Sequence, residues 1–318
     1  MRVVVKKTFE LSDLEIVAIY KLFEEVFHQV RDVKTFRDNY SNTPMGFSYH
    51  SLLLDDSGEI VGFHSCMPFY YLNGDERFMA ALGIDSMVKR EFRDYFNFRD
   101  MINSCQEQLK QDGCVLRIGF PNDNSYPILK KGLKHKDVGK LRTYCLIRNI
   151  GAIKPQLASL NFMSRFVSFG QYLFAGLFIS RKVYTYRYRK ERASFDLVRY
   201  KWFGGNYNQI MLKDGTAVYK TMCYQGVRTA FLLDVYPMSR RNFESAVRKI
   251  YARETNETDM ILYVGQLPFT PVSLWTVPFR FAPKHFNFTC KPLVEGYFDD
   301  TLFDLGHWEI NLSNYDLL

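Results

Sequence analysis

The chain has 318 residues, enough for two domains of ordinary size with substantial cores. Its 47% hydrophobic and 24% charged residues exclude global disorder, and an aromatic content of 16% points to dense cores or wide apolar grooves. Lys and Arg (42) outnumber Asp and Glu (34), so the net charge of +8 favours anionic partners.

The elements are predicted in chain order as follows. Residues 1–9 read as a strand. Residues 12–27 read as a helix with Leu14, Val17, Leu22 and Phe23 on one face, opened by a capping box of Ser12 and Glu15. A second helix covers 34–40. Three strands follow near 50–55, 60–71 and 77–88, joined by turns at Asp56-Ser-Gly58 and Asn73-Gly74. A helix over 98–111 closes at Gly113, a buried strand runs from Cys114 to Gly119, a helix covers 124–132, and a strand covers 141–149.

Residues 160–179 form an apolar run of membrane-spanning length, but Asn161, Arg165 and Gln171 make a transmembrane reading weak. The stretch 181–192, rich in Arg, Lys and Tyr, follows directly. Together, 160–192 would suit an anionic bilayer surface. The favoured reading is plainer: an interdomain helix packed on the core with a solvated basic flank. The Tyr/Arg alternation could hold a single-stranded nucleic acid, yet no RNA-binding pattern accompanies it, so no nucleic-acid partner is expected.

Beyond 200 the element order repeats. Strands are predicted near 207–213, 216–224 and 227–236, a helix over 239–253 and a strand from Met260 to Val264, with turns at Lys213-Asp-Gly215 and Gln225-Gly226. The expected organisation is 1–150 as a domain with the ligand site, 151–199 as an apolar and basic linker helix region, and 200–318 as a degenerate second copy. The stretch before the second helix, Val235-Tyr-Pro-Met-Ser239, has no glycine-rich phosphate loop, so that copy is expected to shape a groove without binding a cofactor.

The chemistry concentrates in 85–138. A strand ending at Val88 runs into a basic bend and then a helix, and helix N-termini offer unpaired N–H groups and partial positive charge. Lys89, Arg90 and Arg93 add three cations within five residues. A phosphate-bearing ligand at the N-terminus of the 98–111 helix is therefore expected. Downstream lies Gly119-Phe-Pro-Asn-Asp-Asn-Ser-Tyr-Pro127. The six cysteines show no Cys-x-x-Cys pair and no histidine at ligand spacing, so no metal is expected. Scattered reduced thiols suit a cytoplasmic protein, and no signal peptide is visible. No serine or cysteine nucleophile signature is present.

This stretch resembles motif A of the GCN5-related N-acetyltransferases, in which a strand ending in Val precedes the loop that cradles the pyrophosphate of acetyl-CoA. It is similar to a bacterial subgroup carrying Gly-Phe-Pro-Asn-x-x-Ser-Tyr-Pro, matched by Gly119 to Pro127. Further matches are Asn42-x-Pro44-x-Gly46, Tyr200-Lys-Trp202 and the end Trp308-Glu-Ile-Asn-x-x-Asn-Tyr-Asp316. The resemblance implies an α+β acyl-CoA N-acyltransferase fold with a mixed, mostly antiparallel sheet flanked by helices, in two tandem copies. It implies acetyl-CoA as co-substrate and a small-molecule amine acceptor, with a sugar or cell-envelope intermediate as the acceptor class.

By the same resemblance, backbone of Met87 and Val88 would pair with the pantetheine arm. Lys89, Arg93, Asp94, Tyr95, Phe96, Asn97 and Phe98 would form the phosphate loop. Asn122 and Asn124 would lie beside the thioester, and Asp85 would take a proton from the amine, unless it is simply bonded to neighbouring backbone or Ser86. The residues themselves offer Tyr126 as the nearby phenol that could substitute as general acid. His64 could line the acceptor pocket, or be a satisfied core histidine. Two positions depart from the pattern: Phe96 stands where the first motif glycine falls, and Lys130 falls where the usual tyrosine does. They leave open an alternative, a catalytically silent binding protein that keeps the groove without the chemistry.

Overall fold

The computed structural model of the chain describes residues 1–177, 180–194, 207–282 and 284–315. Its strands are β1 (Arg2–Lys7), β2 (Tyr49–Leu54), β3 (Ile60–Asn73), β4 (Glu76–Val88), β5 (Leu116–Gly119), β6 (Lys136–Ile147), β7 (Tyr188–Lys190), β8 (Asn208–Leu212), β9 (Gly215–Tyr224), β10 (Val227–Tyr236), β11 (Met260–Gly265), β12 (Trp275–Thr276) and β13 (Phe286–Pro292). Its α-helices are α1 (Asp13–Phe27), α2 (Phe36–Ser41), α3 (Tyr95–Gln111), α4 (Ile150–Ile153), α5 (Asn161–Ala175) and α6 (Arg240–Arg253). Two compact units result. The first comprises Met1–Lys140, Arg187–Gly205 and Phe286–His307; the second comprises Leu141–Tyr186, Asn206–His285 and Trp308–Leu318. The motif residues Tyr200 to Trp202 and Asp316 lie outside the described residues, as do Phe178, Ile179 and residues 195–199 of the linker region.

In the first unit the sheet order is β1-β2-β3-β4-β5-β13, antiparallel throughout except for the parallel pair β4/β5. Parallel neighbours need a crossover, and α3 supplies it. The capping box forms as the sequence predicts: Ser12 Oγ accepts from the Glu15 N–H, and Glu15 reaches back to the Ser12 N–H at 2.8 Å. One face of α3 (Met101, Ile102, Cys105, Gln106, Leu109) is buried. Val88, Leu53 and Val61 pack with Met101 in one cluster, and Tyr49, Cys66, Met79 and Ala81 pack with Cys105 and Leu109 in another. The strand paired with β5 is β13, drawn from near the C-terminus, with Thr289 opposite Gly119 and Cys290 opposite Ile118.

In the second unit, β8, β9 and β10 are antiparallel, β10 and β11 are parallel across α6, and β11 is antiparallel to β6. The buried face of α6 (Phe243, Ala246, Val247, Ile250) packs with Leu232, Ile261 and Tyr263 in one core. The sequence places Asn242 in the first turn, and its N–H donates to Ser239 Oγ at 3.1 Å, capping the helix.

Three features differ from expectation. Helix α3 starts at Tyr95 rather than 98, because Asp94 acts as its N-cap and accepts from the Asn97 N–H at 2.8 Å. The helix expected over 124–132 is present from Tyr126, but its greater part, Ile128–Gly132, is wound as a π turn. Upstream of it, Asn122 Oδ1 holds the Asn124 and Ser125 N–H groups in a side-chain turn. The run 160–179 is expected to pack on the core, yet most large apolar side chains of α5 are exposed.

Candidate functional site

The site begins where β4 and β5 part. Their parallel pairing covers Ala80/Leu116, Ala81/Arg117 and Leu82/Ile118, while β4 continues to Val88 against β3. Within that continuation Phe63 faces Met87 and Ser65 faces Ile84, so His64 alone stands opposite Asp85 and Ser86: a β-bulge. Asp85 takes up the extra length at φ +45°, a left-handed conformation that costs most L residues about 1–2 kcal/mol. Strand alternation in the sequence gives no sign of this bulge.

The bulge sends its two side chains to different partners. Asp85 accepts from the Tyr40 hydroxyl at 2.5 Å and from Arg31 Nη1 at 3.0 Å. Complete burial, followed by the Asp85 charge, pushes the Tyr40 phenol well above its ordinary range. Ser86 Oγ lies 2.7 Å from His64 Nδ1.

Beneath it is a buried polar network that sequence reading missed apart from His64. Arg117, on β5 and 3% exposed, approaches His64 Nε2 and His135 Nε2, both at 3.1 Å. A guanidinium only donates, so both nitrogens accept and His64 carries its proton on Nδ1, toward Ser86. Among the described residues no carboxylate pairs with Arg117. Its bed is Gly83: a Cβ there would sit 2.7 Å from Arg117 Nη2.

Cys66 Sγ lies 3.2 Å from His64 Nε2, and Cys105 is its neighbour. Burial would raise the Cys66 thiol, but the Cys105 hydrogen bond and the positive charge around it pull it well below the ordinary thiol range. The same hydrogen bond, then burial, pushes Cys105 the other way. His64, Cys66 and Cys105 lie close enough together to be considered for a metal. A ligating imidazole, however, needs the lone pair into which Arg117 already donates. The residues therefore fit a hydrogen-bonded network better than a metal centre.

Above the opening, the basic bend turns largely inward on its own chain. Lys89 pairs with Glu59 at 2.5 Å, and Arg93 Nη2 donates to the Val88 carbonyl at 3.1 Å. Arg90 is exposed. Met87 and Val88 are buried in the β3 pairing. Asn97 spends its N–H and its side-chain amide on Asp94, and the Phe98 N–H bonds to the Asp94 carbonyl. The Tyr95 and Phe96 N–H groups, first in α3, have no intrahelical partner, and the Phe96 ring is 63% exposed rather than folded over them.

Tyr126 is placed by another contact. Its hydroxyl donates to Asp137 Oδ1 at 2.7 Å, and Lys130 bonds the same carboxylate. The Asp137 bond, and secondarily burial, raises the Tyr126 phenol above its ordinary value. Asn122 and Asn124 build the turn before it.

A mixed, mostly antiparallel sheet flanked by helices, with a bulged fourth strand parting from a parallel fifth at the start of α3, is the acyl-CoA N-acyltransferase fold of the GCN5-related N-acetyltransferases. The solved structures agree. The chain is similar to a protein of Enterococcus faecalis V583 described as a probable N-acyltransferase, with TM-score 0.56, 13% identity, and coverage of 92% of this chain and 73% of that one. It is similar to a GCN5-related N-acetyltransferase from Kribbella flavida, with TM-score 0.57, 11% identity, and coverage of 92% and 71%. A third likeness is a GCN5-related N-acetyltransferase from Anabaena variabilis, with TM-score 0.57, 10% identity, and coverage of 92% and 73%. No protein-family model and no curated protein matches the chain.

Proposed function

We propose that the first unit transfers an acetyl group from acetyl-CoA to the amine of a small molecule, with a sugar or cell-envelope intermediate as the acceptor class. One observation carries this reading: the strand edge freed where β4 leaves β5 runs on to Val88, and the chain leads from there through the basic bend into the unpaired Tyr95 and Phe96 amides of α3, so a single extended ligand could meet backbone along its arm and N–H groups at its phosphates. The amine nitrogen attacks the thioester carbonyl carbon, the C–N bond forms, the C–S bond breaks, and CoA leaves as thiolate. Asp85 takes the amine proton, directly or through water, and Tyr126 gives its proton to the thiolate, drawing on the Lys130 and Asp137 pair behind it. Positioning and polarisation of the carbonyl supply the rate.

Two copies of one fold, the second without a cofactor, belong to the same reading, supported by the matching strand orders of the two units. A cytoplasmic location belongs to it as well, since free cysteines throughout suit a reducing compartment.

The second reading, a silent binding module, is favoured by the Asp94 cap, which puts a carboxylate where phosphate would sit, and by Arg93, which is spent on Val88. Calorimetric titration with acetyl-CoA separates the two. Micromolar binding that weakens in Arg93→Ala, with release of free thiol once an amine is supplied, is expected of the transferase. Absence of heat at any concentration supports the silent module.

A further inference from the structure

Helix α5 is built inside out for a helix of a globular unit. Its inward stripe is small and polar: Asn161 Oδ1 accepts from the Gly151 N–H at 2.8 Å, Ser164 Oγ donates to the Arg148 carbonyl at 2.7 Å, and Ser168 and Ala175 are fully buried. Tyr172 stacks on Tyr251 of α6 at 5.1 Å. The outward stripe repeats every three or four residues as Phe162, Phe166, Phe169, Leu173 and Leu177, all exposed, with Phe166 at 77% and Leu177 at 73%. Met163, Val167 and Phe174 widen it. Scattered exposed apolar residues need no explanation, but a continuous face of this size on one helix marks an interaction surface.

Charge selects the occupant. From Val138 to Lys190 the sequence has no Asp or Glu. Lys154, Arg165, Arg181 and Lys182 are exposed in that stretch, and none of them is ion-paired among the described residues. The cations further on are different: Arg187 and Arg189 pair with Asp299 and Asp75, so they belong to the first unit's own contacts. A second copy docking on this face would bring two basic rims together, whereas an anionic bilayer would satisfy both the aromatic stripe and the cations. The helix of 15 residues is too short to cross a membrane but suited to lying along one.

We infer that α5 attaches the protein to anionic membrane surfaces, with Phe162, Phe166, Phe169, Leu173 and Leu177 entering the headgroup boundary and Lys154, Arg165, Arg181 and Lys182 facing lipid phosphates. The inference stands apart from acetyl transfer, since no step of its test involves acetyl-CoA. The full chain is sedimented with vesicles of phosphatidylcholine containing one-third phosphatidylglycerol, and with phosphatidylcholine alone. Binding to the anionic vesicles is expected at low salt, weakening as salt rises because the cations are screened. Phe166→Asp with Leu173→Asp should lower the affinity by about tenfold or more, and Arg181→Glu with Lys182→Glu should remove most of the salt dependence.

Circular dichroism checks that the variants fold. Should the aspartate pair fail that check, Phe166→Trp with brominated lipid replaces it, and quenching of the new indole is expected. The inference is overturned by no binding to anionic vesicles at low salt, by binding that the aspartate pair leaves unchanged, or by indole fluorescence that stays unquenched in the vesicle-bound Phe166→Trp variant. It is equally overturned by a dimer in analytical ultracentrifugation that the aspartate pair dissociates.

Discussion

In the first unit β4 and β5 part after Leu82 and Ile118; in the second, β10 and β11 part after Leu232 and Tyr263. Both openings follow the same strand order, and both have a bulge just beyond, at Asp85–Ser86 in β4 and at Leu233 in β10. They differ in what the chain brings to them. The second is entered by the C-terminal segment: Asn311 Nδ2 donates to Asp234 Oδ1 at 3.0 Å, Asn311 bridges to Gly265, and the Gln266 N–H bonds to the Ile310 carbonyl. In the first, the acidic side chain of the bulge is held by Arg31 and Tyr40, and a basic bend leads into α3. One topology makes the opening twice, and in the second the chain's own C-terminal segment occupies it.

The largest expected effect falls on the network under the first opening. Cys66→Ala takes away the Sγ that lies 3.2 Å from His64 Nε2 beside Cys105 and leaves a void in the buried network, and the loss of stability should be about 2–4 kcal/mol in urea unfolding. Cys290→Ala, a similar cut at a thiol that burial alone raises, should cost less. Equal costs would mean that the polar network adds nothing to the packing of the Cys66 thiol.

Next is the proton dependence of the first unit. Burial lowers His50 to about 3 and His135 well below its ordinary range, so both are neutral when folded. The unfolded chain takes up these protons near pH 6.5, so stability is fully present above that pH and falls as pH drops toward the folded values. The slope should be about 1.4 kcal/mol per pH unit for each histidine, and His50→Gln should flatten it by half. A slope that is unchanged in His50→Gln would contradict the assignment.

In the second unit, Asn311→Ala leaves the Asp234 carboxylate without one of its donors and should cost about 1–3 kcal/mol. It should create no acetyl-CoA binding there, because the C-terminal segment still lies across that opening through the Asn311 bridge to Gly265 and the Gln266–Ile310 hydrogen bond. The smallest effect is Ser12→Ala, about 1 kcal/mol from the lost capping box.

Features set by neighbours in sequence were legible: the Ser12–Glu15 box, the Asn73-Gly74 and Gln225-Gly226 turns, and the β4-α3-β5 succession that locates the opening. Features set by distant partners were not. Arg117 sits in an apolar strand, and only His64 and His135, brought from elsewhere in the chain, explain its burial. The pairing of β13 with β5 joins residues far apart in sequence. The start of α3 is ambiguous in the sequence because Asp94 serves as well for a helix cap as for a loop residue. The period of α5 shows an amphipathic helix but not which side faces the core, and here the apolar side faces out.

The central proposal, that acetyl-CoA binds the first unit and not the second, is tested most directly by hydrogen exchange of the full chain with and without saturating acetyl-CoA. Slowed exchange is expected over Ser86 to Phe98, with the backbone from Leu233 to Ser239 unchanged. Protection around Leu233 to Ser239, or none anywhere, would contradict it.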